Sequence, residues 1–159
     1  MNDCRVLGRD IFVIDKYFRL FFKNALKPYD LIPTEAMVLL ALYKKGGHLR
    51  EDVFDDIHEH KLSKSQDQLI ADLHYDKAAM TRTMQSLEGK GFVIRQDHPS
   101  DSRSYLFSAT EKADTFKPAL IGILREWNIL LTSGIENLNV VNTAIQQMAE
   151  NAKQAAKGE

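Results

Sequence analysis

The side chains best spaced for chemistry lie between Lys77 and Arg103. Met80, Met84 and Leu87 recur at steps of four and three and define the inward face of a helix, which leaves Lys77, Ala78, Thr81, Arg82 and Gln85 on the opposite side. Those types suit the edge of a DNA duplex: Arg and Gln form paired hydrogen bonds with guanine and adenine, and small side chains permit close approach. Arg82 is the best-placed base reader, and Lys77 sits where the helix N-terminus meets phosphate. Downstream, His98-Pro-Ser-Asp-Ser-Arg103 reads as a turn between two apolar runs. Arg103 at its tip suits a narrow minor groove, where negative potential concentrates. Asp101 either holds that guanidinium or braces the turn, and His98, Ser100 and Ser102 are phosphate contacts by position alone.

The elements that must position these groups follow from caps and periodicity. Ser65-Gln-Asp-Gln68 has the pattern of a capping box and opens a helix through Leu73 that faces inward by Leu69, Ile70 and Leu73. Asp76 caps the next helix, Gly91 stops it, and Phe92–Ile94 and Tyr105–Phe107 are β-prone. Helix, turn, helix and basic-tipped hairpin, in that order, predict a winged helix that sets its second helix in the major groove of double-stranded DNA.

Upstream, Ile11, Ile14, Phe18, Phe21 and Ala25 mark a helix from about Arg9 to Leu26; Phe12, Tyr17, Leu20 and Phe22 widen its apolar face, so burial on more than one side is expected. Pro28 ends it. A second helix is expected from about Thr34, as cap, to Lys45, closed by Gly46-Gly47, with Met37, Leu40 and Ala41 inward. Residues 48–64 read as a polar insertion with a short helix. Thr110 caps a long helix carrying Phe116, Leu120, Ile123, Trp127 and Leu130, in which Pro118 predicts a bend, and Leu138, Val141, Ile145, Met148, Ala152 and Ala155 mark a last one. The winged helix has its own core, so these terminal apolar stripes need another partner, and a homodimer is expected.

Composition limits the alternatives. At 159 residues and 44% hydrophobic, the chain suffices for one packed domain. A single cysteine excludes an intramolecular disulfide framework, no apolar run reaches the roughly 18 residues of a membrane span, and Met-Asn-Asp-Cys-Arg lacks the order of a secretory signal, so a cytoplasmic protein with no membrane partner is expected. The net charge of -1 is compatible with nucleic-acid binding because acidic residues gather at 51–59 while Lys77, Arg82, Lys90, Arg95 and Arg103 keep a local basic face.

His48, His58 and His60, with Asp55, Asp56 and Glu59, offer a ligand set for a divalent ion, and with it a metal-responsive regulator. On a helix, however, positions 58 and 60 point about 200° apart, and a solvated acidic insertion is the plainer reading. Cys4, placed before the first helix, has only Arg5 to lower its pKa and reads as a bystander. Enzymatic motifs are missing: no Gly-rich phosphate loop, nucleophile elbow or buried carboxylate pair stands out, and no cofactor is expected. A helical interaction module that has lost DNA binding would suit the near-neutral charge, but Arg82 and Arg103 argue against it.

The stretch Asp76-Lys-Ala-Ala-Met-Thr-Arg-Thr-Met-Gln-Ser-Leu-Glu-Gly-Lys-Gly-Phe-Val-Ile-Arg95 resembles the recognition helix and following strand of the MarR family of bacterial transcription regulators. Asp101-Ser-Arg103, followed by Ala109-Thr110, is similar to that family's Asp-x-Arg and Leu-Thr pattern, with alanine where the family has leucine. The resemblance covers nearly the whole chain except 48–64. It implies a mainly α fold with a small β hairpin: one MarR-like domain over 1–159, a winged helix-turn-helix at about 32–109, and dimerisation helices at about 9–28 and 110–157. It further implies a dimeric repressor of inverted-repeat promoter sites, released by a small aromatic or lipophilic ligand. Phe12, Tyr17, Phe21, Phe22, Tyr29 and Trp127 could wall such a ligand's cavity, although packing is the ordinary role of aromatic stripes at helical spacing.

Overall fold

The computed structural model describes residues 4–43 and 63–157. Helix α1 (Cys4–Leu26) starts five residues before the expected Arg9, and Cys4 is its first residue rather than lying ahead of it. Nothing between Cys4 and Arg9 breaks a helix except Gly8, whose cost of about 1 kcal/mol a long helix absorbs. After Leu26 the chain tightens into one 3-10 turn over Lys27–Tyr29, and Asp30 takes a left-handed conformation (φ 55°) that returns its N–H to Lys27 O.

Helix α2 (Pro33–Tyr43) begins at Pro33 itself, not at a Thr34 cap. Proline suits the first helical position, where no N–H is needed, and Glu35 supplies the missing acceptor by taking the Ile32 N–H at 2.9 Å. Helix α2 is buried on all sides, with Ala36, Val38, Leu39, Leu40, Ala41 and Leu42 in the core. The expected stop at Gly46-Gly47 and the stretch 48–62 lie outside the described residues.

Helix α3 (Gln66–Leu73) carries the complete capping box, with Ser65 Oγ accepting from Gln68 N and Gln68 Oε1 accepting from Ser65 N. His74, left-handed at φ 56°, ends it. Asp76 Oδ1 accepts the Ala79 N–H at 2.8 Å and opens helix α4 (Lys77–Gly89). Gly91 (φ 76°) then turns the chain at an angle an L side chain rarely adopts.

The hairpin is one side of a larger sheet. β2 (Val93–Asp97) and β3 (Tyr105–Ala109) pair antiparallel from Val93 opposite Ala109 to Asp97 opposite Tyr105. A third strand, β1 (Ser63–Ser65), lies on the other edge of β3, giving the order β1-β3-β2. The sequence predicts a hairpin alone, because Ser-Lys-Ser lacks β-branched and aromatic residues; pairing to β3 and the Ser63–Ser108 hydroxyl contact at 2.8 Å hold it extended. Ala109, where the resembled pattern has leucine, is buried opposite Val93.

Helices α5 (Glu111–Thr132) and α6 (Leu138–Ala156) complete the described elements, and the chain divides into two compact units, Met1–Leu124 and Arg125–Glu159. In the first, Leu26, Leu39, Leu42, Leu69, Met80, Met84, Leu87, Phe92 and Leu120 form one core. Thr110 joins sheet to helix, donating its hydroxyl to Gly91 O at 2.6 Å while accepting weakly from Ala113 N at 3.4 Å. Helix α1 is not buried on several sides within one chain: Phe22 and Leu26 are buried, whereas Ile11, Phe12, Val13, Ile14, Tyr17 and Leu20 are exposed. In the second unit α6 has no buried residue, and Val140 and Ile145 are exposed. Among the described residues no helix is long and apolar enough to cross a membrane.

Candidate nucleic-acid interface

Helix α4 has one anchored side and one open side. Met80, Thr83, Met84 and Leu87 are buried. Beside them Ser86 Oγ donates to Glu35 Oε1 at 2.5 Å, and Lys90 Nζ donates to both Glu35 oxygens at 3.0 and 2.9 Å and to Asp30 O at 2.7 Å. Glu35 is 1% exposed, so its charge depends on these donors and on Ile32 N. The group locks the end of α4 to the start of α2 and to the left-handed turn before it. Periodicity names neither Glu35 nor Ser86, since both partners lie some fifty residues away in sequence.

On the open side Lys77, Ala78, Arg82 and Gln85 are exposed, as expected from the spacing of the core residues. The side chains of Lys77, Arg82 and Gln85 make no hydrogen bond or ion pair with another described residue. Thr81 differs. It is half-buried, donates its hydroxyl to Lys77 O at 2.8 Å and accepts from Gln66 Nε2 at 2.8 Å. Gln66, the first residue of α3, thereby fixes one edge of the open face, and no local sequence signal announces that contact.

The basic face is narrower than the sequence suggests. Lys90 is turned onto Glu35. Arg95, on β2, lays its guanidinium over the Tyr105 ring at 4.5 Å and places Nε 3.6 Å from Glu88 Oε1. That leaves Lys77, Arg82 and Arg103. At the hairpin tip, Asp101 Oδ1 accepts the Arg103 N–H at 3.0 Å, so Asp101 braces the turn through the backbone and leaves the Arg103 guanidinium without a bond to any described residue. His98 N donates to Ser104 O at 3.2 Å and closes the loop, while His98 Nδ1 faces Ser100 N and Oγ, both at 3.2 Å. His98 and Ser100 are thus engaged with each other; Ser102 and Arg103 are exposed.

An open groove of about 680 Å³ is lined by Tyr29, Asp30, Phe92, Lys112, Thr115 and Phe116 among others. Tyr29 and Phe92 pack on Phe116 with ring centres 4.8 and 5.8 Å apart, and Lys112 Nζ lies 4.5 Å over Phe92 while donating to Lys90 O at 2.6 Å. Of the aromatic candidates, Tyr29 lines this groove; Phe22 is in the core, and Phe12 and Tyr17 are exposed. His48, His58 and His60 lie outside the described residues, and among those described no three His, Cys, Asp or Glu side chains gather as a metal site.

Part of the sequence and the fold as a whole are similar to known proteins. Residues 53–105 match the model of the MarR family. The match starts inside the stretch read above as an insertion, so residues 53–64 follow the family's own pattern. The fold is similar to a MarR transcriptional regulator from Methanosarcina mazei Go1, 24% identical, covering 95% of this chain and 99% of that one with a TM-score of 0.78. It is similar to a MarR protein from Peptoclostridium difficile DA00132, 17% identical, covering 96% and 90% with a TM-score of 0.77. A putative MarR family transcriptional regulator from Listeria monocytogenes, complexed with a 26mer DNA, matches at 20% identity over 95% and 89% with a TM-score of 0.74. Residues 53–105 thus match the MarR family model, and the chain has a fold similar to that of the solved MarR transcriptional regulators.

Proposed function

We propose that this protein is a homodimeric transcription regulator that reads an inverted-repeat DNA site. Helix α4 enters the major groove with Arg82, Gln85, Ala78 and Thr81, Lys77 meets phosphate, and the β2–β3 tip sends Arg103 into the neighbouring minor groove. His98, Ser100 and Ser102 stand along the backbone beside it. The observation that carries this reading is the contrast between the two sides of α4: Ser86 and Lys90 are tied to Glu35, while Lys77, Arg82 and Gln85 have no described partner. A rigid support behind unengaged long polar side chains is what recognition of an external duplex requires. The DNA complex of the similar Listeria monocytogenes protein supports the same use of the fold.

The dimer rests on exposed apolar residues that one chain leaves in water. Phe12 is 76% exposed and Ile129 70%, and Ile11, Ile14, Tyr17, Val140 and Ile145 are exposed as well. At roughly 25 cal/mol per Å² of apolar area removed from water, covering these side chains with a second copy gains several kcal/mol. A two-fold dimer matches half-sites about one helical turn apart. Repression by covering a promoter is the simplest result. A small aromatic or lipophilic ligand releases the DNA if it binds better to the dimer whose two readers are wrongly separated, and the open groove lined by Tyr29, Phe92 and Phe116 is the site we assign to it.

A gel shift on the DNA upstream of the protein's own gene, at two salt concentrations, tests the reading. Specific binding at least about 10³ tighter than binding to unrelated duplex is expected, weakening as salt rises. Equal affinity for both duplexes would overturn it.

A further inference from the structure

We propose that Thr81 selects sequence through its methyl group, by contact with the 5-methyl of a thymine, and that its hydroxyl hydrogen is withheld from the DNA. The inference rests on the reading of α4 as the recognition helix. A threonine hydroxyl has one hydrogen to donate and two lone pairs. Here the hydrogen goes to Lys77 O at 2.8 Å, and Gln66 Nε2 donates to the oxygen, also at 2.8 Å. Gln66 is itself placed by the Ser65 capping box at the first position of α3, so the contact spans the two helices of the reading unit. A base that took the hydroxyl's hydrogen would have to displace the bond to Lys77 O and would gain little.

The methyl takes part in neither bond, and Thr81 keeps part of its surface open to solvent. Ala78, three residues earlier on the same helix, is exposed and adds a second methyl, and Arg82 and Gln85 follow with long polar side chains. The open face of α4 therefore holds an apolar spot beside two hydrogen-bonding arms. In the major groove thymine presents a methyl group, and Ala and Thr methyls are the small apolar groups that recognise it. The consequence is a thymine preferred at one position of each half-site, next to the bases read by Arg82 and Gln85, with Gln66 acting as a positioning residue that keeps the Thr81 hydroxyl turned inward.

The test uses the full-length protein and a duplex enriched by it from a random-sequence pool. Each thymine of one half-site is replaced in turn by deoxyuridine, which removes the 5-methyl alone, and affinity is measured for wild type, T81S and T81V. We expect one thymine whose replacement weakens wild type and T81V about fourfold, the change equivalent to one buried methyl, and leaves T81S unchanged. An enriched duplex in which no replacement matters, or one in which T81V loses the contrast while T81S keeps it, overturns the methyl assignment and leaves DNA reading by α4 intact. A pool from which no sequence is enriched overturns both.

Discussion

Arg103 and Arg95 have the same chemistry and opposite circumstances. Arg95 is stacked on Tyr105 and sits near Glu88, whereas Asp101 spends its carboxylate on the Arg103 backbone and leaves that guanidinium exposed. Arg103→Ala should therefore weaken specific DNA binding by about 1 to 3 kcal/mol, the usual worth of a groove contact, without lowering thermal stability. Lys77→Ala should reduce the slope of log affinity against log salt by about one, because one phosphate contact is lost, with little change in sequence preference. Fluorescence anisotropy over a salt series checks both, and wild-type affinity and slope in both variants would contradict the assignment. The side chains on the open face of α4 and the caps Ser65 and Asp76 were readable from the sequence, because a cap and a helical period each depend on neighbours within one turn. The inward turn of Lys90, the stacking of Arg95 and the Gln66–Thr81 bond were not, since each is decided by a residue brought up from another element.

How α4 is held depends on α2 and α5. Glu35 is buried and Lys90 supplies its ion pair, so Lys90→Met should leave a carboxylate with only Ser86 and Ile32 N as donors and destabilise the protein by about 3 kcal/mol in urea unfolding. An unchanged midpoint would contradict that role. Tyr43, at the far end of α2, donates its hydroxyl to Ala113 O at 2.6 Å and so fastens α2 to the start of α5. Burial pushes the Tyr43 pKa well above the ordinary value, with Asp114 adding to the rise. The folded state therefore holds the tyrosine proton longer than the unfolded chain does; stability is unaffected below about pH 10 and falls as pH rises past it. Tyr43→Phe should cost about 1 kcal/mol at neutral pH and flatten part of that alkaline fall, measured by unfolding at pH 7 and above pH 10. The order of α3, α4 and the hairpin followed from local signals. β1 did not, because a Ser-Lys-Ser strand exists only by pairing with β3, and the true start of α2 turned on Glu35 reaching back to Ile32.

The exposed apolar side chains of α1 and α6 are the surface on which the proposed dimer rests. A stable dimer buries about 1,200 to 2,000 Å² in total, and Phe12, exposed in the single chain, belongs to the surface available for it. Phe12→Asp should yield a folded monomer by analytical ultracentrifugation, with near-native circular dichroism and lost operator binding; a dimer of undiminished strength would place the interface elsewhere. The dimer is proposed because the sequence carries more apolar stripe than one winged helix can cover, and α1 shows less burial within one chain than its sequence suggests, with only Phe22 and Leu26 buried. In the proposed function two copies read two half-sites together. Its most direct test is the affinity of the purified protein for its enriched inverted repeat compared with the same duplex in which one half-site is scrambled. One dimer per intact repeat and a loss of at least about tenfold on scrambling are expected, given costs of about 1 to 3 kcal/mol for each mismatched base pair. Equal binding to both duplexes, or a single chain bound per site, would contradict it.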